Sequence, residues 1–225
     1  MPGRIIPLIN NQFYHVLNRG IASQPVFLGK RNYERVMEAI FYYQNKNTPL
    51  SFSTFLKLSN ERRKELIEKL RSKKDFLIEI VCFCLMPNHL HLLLKQLQEN
   101  GISIFMSNLT NSYTRYFNKV QKRIGPLFQG KFKAIRVESN EQLLHLSRYI
   151  HLNPFSDFVL KNLKELDSYP YSSFLDYLGK KKDGYCLKEI ILANFKDKDD
   201  YKKFILDQAN YQRELQKIKY LTFEE

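Results

Sequence analysis

Residues 76–86 read FLIEIVCFCLM, an apolar run rich in strand-forming residues and broken only by Glu79. The run predicts a central β-strand. Pro87-Asn88 follows as a turn signal, and HLHLLLK at 89–95 reads as the returning strand of a hairpin. Any fold for this chain must therefore be built around an antiparallel pair whose second strand opens on His89-Leu90-His91. A third strand is predicted at Gln12–Asn18, where QFYHVLN alternates imperfectly before Arg19-Gly20 ends it.

Helical spacing marks the rest. Tyr33, Val36, Met37, Ile40 and Phe41 line one face of a helix over Lys30–Gln44. Phe105, Leu109, Tyr113, Phe117 and Val120 do the same over Ser103–Lys122. Gly125-Pro126 breaks that helix, and the chain resumes in extended form to Val137. Ser139 and Gln142 have capping-box spacing for a further helix, which Pro154 is expected to end at Asn153. A charged terminal helix is expected over Asp199–Tyr220. Residues 45–75 read as an inserted helical excursion, and no internal repeat is evident.

Thirty-six Lys and Arg against 23 Asp and Glu give a formal charge of +13. A field of that size favours a polyanionic partner. It is concentrated between Asn111 and Asn140, where Arg115, Lys119, Lys122, Arg123, Lys131, Lys133 and Arg136 face only Glu138. Tyr113, Tyr116, Phe128 and Phe132 are interleaved with these cations. Tyr113 reads as core, whereas Tyr116 and Phe128 are candidates to stack bases. No stretch approaches the apolar length of a membrane helix and no signal core opens the chain, so a cytoplasmic protein is expected. Three cysteines, two of them on one strand, argue against a disulfide framework.

Two histidines at i and i+2 of a strand point to the same side and can reach one metal ion. On the helix after Asn140, His145, Tyr149 and Asn153 are spaced at four residues and share a polar stripe, with Leu143, Leu146 and Ile150 opposite. Tyrosine is a covalent catalyst once its phenol, with an ordinary pKa near 10, is activated by nearby positive charge.

Several segments together resemble the single-tyrosine HUH transposases, closest to the REP-associated tyrosine transposases. They are FYHVLNRG at 13–20, CLMPNHLHLLLK at 84–95, SYTRYFN at 112–118 with GPLFQGKF at 125–132, RYIHLNP at 148–154 and SYPYSSFLDYLG at 168–179. The resemblance implies an α+β fold, a ferredoxin-like antiparallel sheet with helices packed on one face, over a domain of residues 1–179 carrying the insertion at 45–75. Residues 180–225 would form a C-terminal helical extension. It further implies Tyr149 as the nucleophile, His89 and His91 as metal ligands and Asn153 as a third, with His145 as a possible supporting residue. Mg2+ or Mn2+ would be the ion, although two imidazoles alone would suit zinc or manganese. The substrate would be single-stranded DNA bearing a hairpin, held by Arg115, Tyr116, Lys119, Lys122, Arg123, Phe128, Lys131, Lys133 and Arg136, in a monomer or homodimer. Two other readings stand beside this one: a non-catalytic single-stranded nucleic-acid-binding protein, and a structural zinc module of Cys82, Cys84, His89 and His91.

Overall fold

A computed structural model of the chain describes residues 7–181 and 185–221, with side chains to 217. Four strands, β1 (Phe13–Arg19), β2 (Ile78–Met86), β3 (His89–Gln96) and β4 (Lys133–Val137), form one antiparallel sheet in the order β2-β3-β1-β4. The hairpin pairs Met86 with His89 and closes two residues short of the start of the apolar run, because Phe76 bridges to Asn45 instead. The nine helices among the described residues are α1 (Lys30–Tyr43), α2 (Phe52–Phe55), α3 (Asn60–Ser72), α4 (Gly101–Gln121), α5 (Asn140–Ser156), α6 (Phe174–Tyr177), α7 (Glu189–Leu192), α8 (Lys198–Leu206) and α9 (Ala209–Leu221).

Strand alternation assigns the two faces of the sheet. Tyr14, Val16, Phe83, Leu90 and Leu92 face α1 and α4: Phe41 of α1 meets Phe83 with ring centroids 6.0 Å apart, and α4 packs on α1, β2 and β3. These two helices give the ferredoxin-like α+β arrangement. The opposite face is covered over its β2–β3 half by α5. The reason is visible in β2, whose apolar residues are continuous rather than alternating, so that Cys82 and Cys84 need burial as much as Phe83 does. The β1–β4 half of that face carries no such cover, and Lys133 and Ile135 stand exposed on it, Ile135 at 66%.

Two expectations about helix ends change. α5 continues through Pro154 to Ser156 instead of stopping at Asn153. Proline in the last turn removes a single intrahelical donor, and Asp157 N–H closes the end on Asn153 O at 2.9 Å. At the other end Ser139 Oγ accepts from Gln142 N at 3.1 Å, but Gln142 returns its bond to Glu138 N rather than to the cap itself. The single terminal helix expected over Asp199–Tyr220 is divided into α8 and α9.

Both of those helices pack against α5. His151, fully buried, bonds Tyr201 of α8 at 2.8 Å and Ser173 at 2.8 Å, and the Arg148 guanidinium lies 3.6 Å from the centre of the Phe204 ring. Gln212 of α9 donates to Ser156 Oγ at 2.9 Å. The excursion after α1 docks through Phe52 and Phe55, whose rings lie 5.4 and 4.7 Å from Tyr42. Among the described residues no helix is long and apolar enough to cross a membrane.

Candidate active site

His89 and His91 open β3 on the face that α5 covers. Both are buried, at 3% exposure each, and their rings stand nearly perpendicular with centroids 4.8 Å apart. Tyr149 enters from α5, its ring perpendicular to that of His91 at 5.5 Å. Asn153, one helical turn on, is buried beside it and donates to the Tyr149 carbonyl at 3.3 Å. The structure thus brings His89, His91, Tyr149 and Asn153 together from a strand and a helix far apart in sequence.

Strand β1 adds two residues to this cluster that spacing alone does not reveal. In the β1–β3 ladder Leu17 pairs with His91 and Arg19 with His89, so His15 is the diagonal neighbour of His91 on the same face. His15 Nε2 lies 2.9 Å from His91 Nδ1, and the two rings are nearly coplanar with centroids 5.1 Å apart. Burial holds the His15 pKa down to about 4. Alternation within FYHVLNR places His15, Leu17 and Arg19 on one side. Which strand they meet depends on a pairing across more than 70 residues, and local sequence carries no trace of it.

The Tyr149 phenol is held above its ordinary pKa, first by desolvation. The Asn153 amide and the Arg19 guanidinium pull it back down, while Asp157 and Cys84 push it up. In this environment the phenol keeps its proton unless positive charge is added beside it. A divalent cation fits the donor set. His89 and His91 are neutral imidazoles when unprotonated, Asn153 offers an amide oxygen, and nothing in the set excludes oxygen ligands from a substrate or water.

A closed structural zinc site does not fit. Among the described residues no three His, Cys, Asp or Glu side chains are arranged to hold a metal ion. Cys82 and Cys84 are fully buried in the sheet, and desolvation raises both thiols well above their usual range in the metal-free protein.

Other sequence-predicted residues are dispersed. His145 lies apart from the cluster: it is exposed, its Nε2 is 3.9 Å from Glu141, and its ring is 6.1 Å from that of Phe204. Residues four apart advance about 40° around a helix, so the stripe that holds Tyr149 and Asn153 has rotated away by His145. Phe128 is no stacking platform either. It is 6% exposed, bridges Gly20 and packs 6.4 Å from Tyr113, because the 125–132 segment must cover the end of the α4 core. Tyr116 is half-buried with the Arg35 guanidinium 4.0 Å over its ring. Tyr113 is core, its hydroxyl donating to Val26 O.

The cations fall into separate groups. Arg115, Lys119 and Lys122 are exposed on and just after α4. Arg123 is half-buried and donates to Pro126 O at 3.0 Å, bracing the turn. Arg136 is exposed and donates to Gln12 at 2.8 Å. Lys131 is exposed beside β4, and Lys133, paired with Leu17, faces the same side of the sheet as the histidines.

Comparison with known proteins bears on the fold. No curated protein matches the chain. A solved structure of a REP-associated tyrosine transposase bound to a REP hairpin superposes with a TM-score of 0.50 at 14% identity, covering 80% of this chain and 87% of that one. It has the same fold. The family model for IS200-like transposases matches residues 53–153, a stretch that contains His89, His91, Tyr149 and Asn153 but neither His15 nor Arg19. Through residues 53–153 the chain is similar to the IS200-like transposases.

Proposed function

We propose that this protein is a transposase that cleaves and rejoins single-stranded, hairpin-bearing DNA through a covalent bond to Tyr149, with Mg2+ or Mn2+ held by His89, His91 and Asn153. The observation that carries the reading is the placement of a tyrosine ring 5.5 Å from that of His91, one of a buried histidine pair, at the edge of a basic, partly uncovered sheet face. When bound, the ion would polarise the scissile phosphate and favour the phenolate. The chain's own residues do the rest. Tyr149 Oη releases its proton to solvent and attacks phosphorus, the P–O3′ bond breaks, and the departing 3′ oxygen takes up a proton from solvent. Arg19 stabilises the anionic phenol oxygen. Because the phosphotyrosine ester keeps the energy of the broken bond, a DNA 3′ hydroxyl reverses the step, and no nucleotide hydrolysis is needed.

The exposed cations Arg115, Lys119, Lys122, Lys131 and Lys133 supply the electrostatic contact to the backbone. A hairpin is the DNA found with the structural neighbour, which favours the same substrate class here. Residues 1–179 form the transposase domain in this reading. The extension from 180 braces the nucleophile's helix, since Gln212 also donates to the Tyr149 carbonyl at 3.2 Å. Incubation with hairpin-bearing single-stranded DNA and Mn2+ tests the reading: a covalent protein–DNA adduct is expected, and DNA binding without any adduct would favour a non-catalytic binding protein.

A further inference from the structure

We propose that His15 is the positioning residue of the metal site, accepting a hydrogen bond from His91 Nδ1–H so that the lone pair of the neutral His91 ring is on Nε2, toward the ion. The inference rests on the metal reading above. A neutral imidazole ligates through one ring nitrogen only when the other carries the hydrogen, and metal-binding histidines are usually fixed in that state by an acceptor behind the ring.

For His89 the acceptor is Asn88. Its Oδ1 lies 2.6 Å from His89 Nδ1, and its Nδ2 donates to Ser23 O at 3.1 Å. That second bond fixes which end of the amide is oxygen. A carbonyl oxygen only accepts, so His89 Nδ1 carries the hydrogen and, in the neutral ring, Nε2 carries the lone pair. His91 has the same arrangement with a different partner: its Nδ1 faces His15 Nε2 at 2.9 Å. For both Nε2 atoms to serve one ion, His91 Nδ1 must donate, and His15 must accept at Nε2 while keeping its own hydrogen on Nδ1. The two ring planes are only 15° apart with centroids 5.1 Å apart, so the imidazoles lie nearly end to end in one plane, as an in-plane N–H···N bond requires. Strand pairing supplies the rest, since His15 and His91 are diagonal across the β1–β3 ladder and cannot separate without breaking it.

The chain uses an imidazole where a carboxylate or backbone carbonyl is more usual behind a metal-bound histidine. A neutral acceptor leaves the net charge of the site to the ion, Arg19 and the DNA phosphate. In this role His15 touches neither substrate nor ion, and it acts only through His91.

Two measurements test this. The first is 15N NMR of the histidine side chains in the metal-free wild-type protein, where His91 should be protonated at Nδ1. The second is Mn2+ affinity, read by the EPR signal of the free ion, for wild type, His15→Leu and His15→Gln. His15→Leu removes the acceptor and should weaken Mn2+ binding about 10- to 100-fold. His15→Gln restores a carbonyl oxygen and should recover most of that loss. A wild-type His91 protonated at Nε2, full Mn2+ affinity in a folded His15→Leu, or no recovery in His15→Gln would each overturn the positioning role while leaving the metal reading standing. Failure of wild type itself to bind Mn2+ would overturn both.

Discussion

The ring of Tyr149 meets the ring of His91 edge-on, perpendicular and 5.5 Å between centroids, across the boundary between helix α5 and strand β3. Tyr149→Phe keeps the ring and therefore this contact, and removes only the phenol oxygen. Cleavage of hairpin DNA should fall below detection while the dissociation constant for DNA changes less than about threefold, a shift under 1 kcal/mol. Cleavage retained in the variant would remove Tyr149 from the chemistry.

Arg19 is the cation that lowers the Tyr149 pKa from within the chain. Arg19→Gln should slow cleavage, and its rate should rise with pH later than in wild type, because a phenol without its positive neighbour ionises at higher pH. Rate–pH profiles of the two proteins check this. Superimposable profiles would place Arg19 outside the mechanism.

Phe128 belongs to the core although basic residues flank it in sequence. Being buried against Tyr113, it should cost about 3–5 kcal/mol of stability when replaced by alanine. By contrast, Lys119→Glu with Lys122→Glu should leave the melting temperature nearly unchanged and flatten the salt dependence of DNA binding, since each lost phosphate contact removes part of the counterion release. Thermal melts and binding at several salt concentrations distinguish the two. An unchanged salt slope in the lysine pair would locate the DNA elsewhere, with Lys131 and Lys133 the next residues to reverse.

His151 makes stability depend on acid. Its folded-state pKa is lowered by burial to about 3, from an ordinary 6.5, so below pH 6.5 the unfolded chain takes up a proton that the native protein refuses. Its contribution is complete above pH 6.5 and is lost progressively as pH falls toward 3. Urea midpoints measured across that window should drop in wild type and drop less in His151→Gln, which keeps polar contact with Tyr201 and Ser173 but does not titrate. Parallel curves would exclude His151 as the source.

Local pattern made much of this architecture legible. The FLIEIVCFCLM and HLHLLLK runs specify the hairpin, and the i, i+2 spacing of His89 and His91 sets both on one face whatever the rest of the chain does. The i, i+4 spacing of Tyr149 and Asn153 does the same on α5. Non-local geometry was not legible. His15 became part of the site only through a strand register, and α5 covers the second sheet face because β2 is apolar on both sides. His145 shows the limit of a four-residue stripe, which drifts around the helix over two steps, and Phe128 shows that an aromatic between basic residues packs inward when a turn needs a core. Pro154 misplaced the helix end because its steric rule acts weakly in a last turn that is closed by Asp157.

The identity and polarity of the covalent adduct test the nucleophile assignment most directly. A hairpin oligonucleotide labelled separately at its 5′ and 3′ ends, incubated with the protein and Mn2+, should yield an adduct that retains the 3′-end label, joined through a 5′ phosphate. The other fragment should be released with a free 3′ hydroxyl, and after proteolysis the DNA should be found on the peptide containing Tyr149. An adduct that keeps the 5′-end label, or one mapped to Tyr113 or Tyr116, would contradict it.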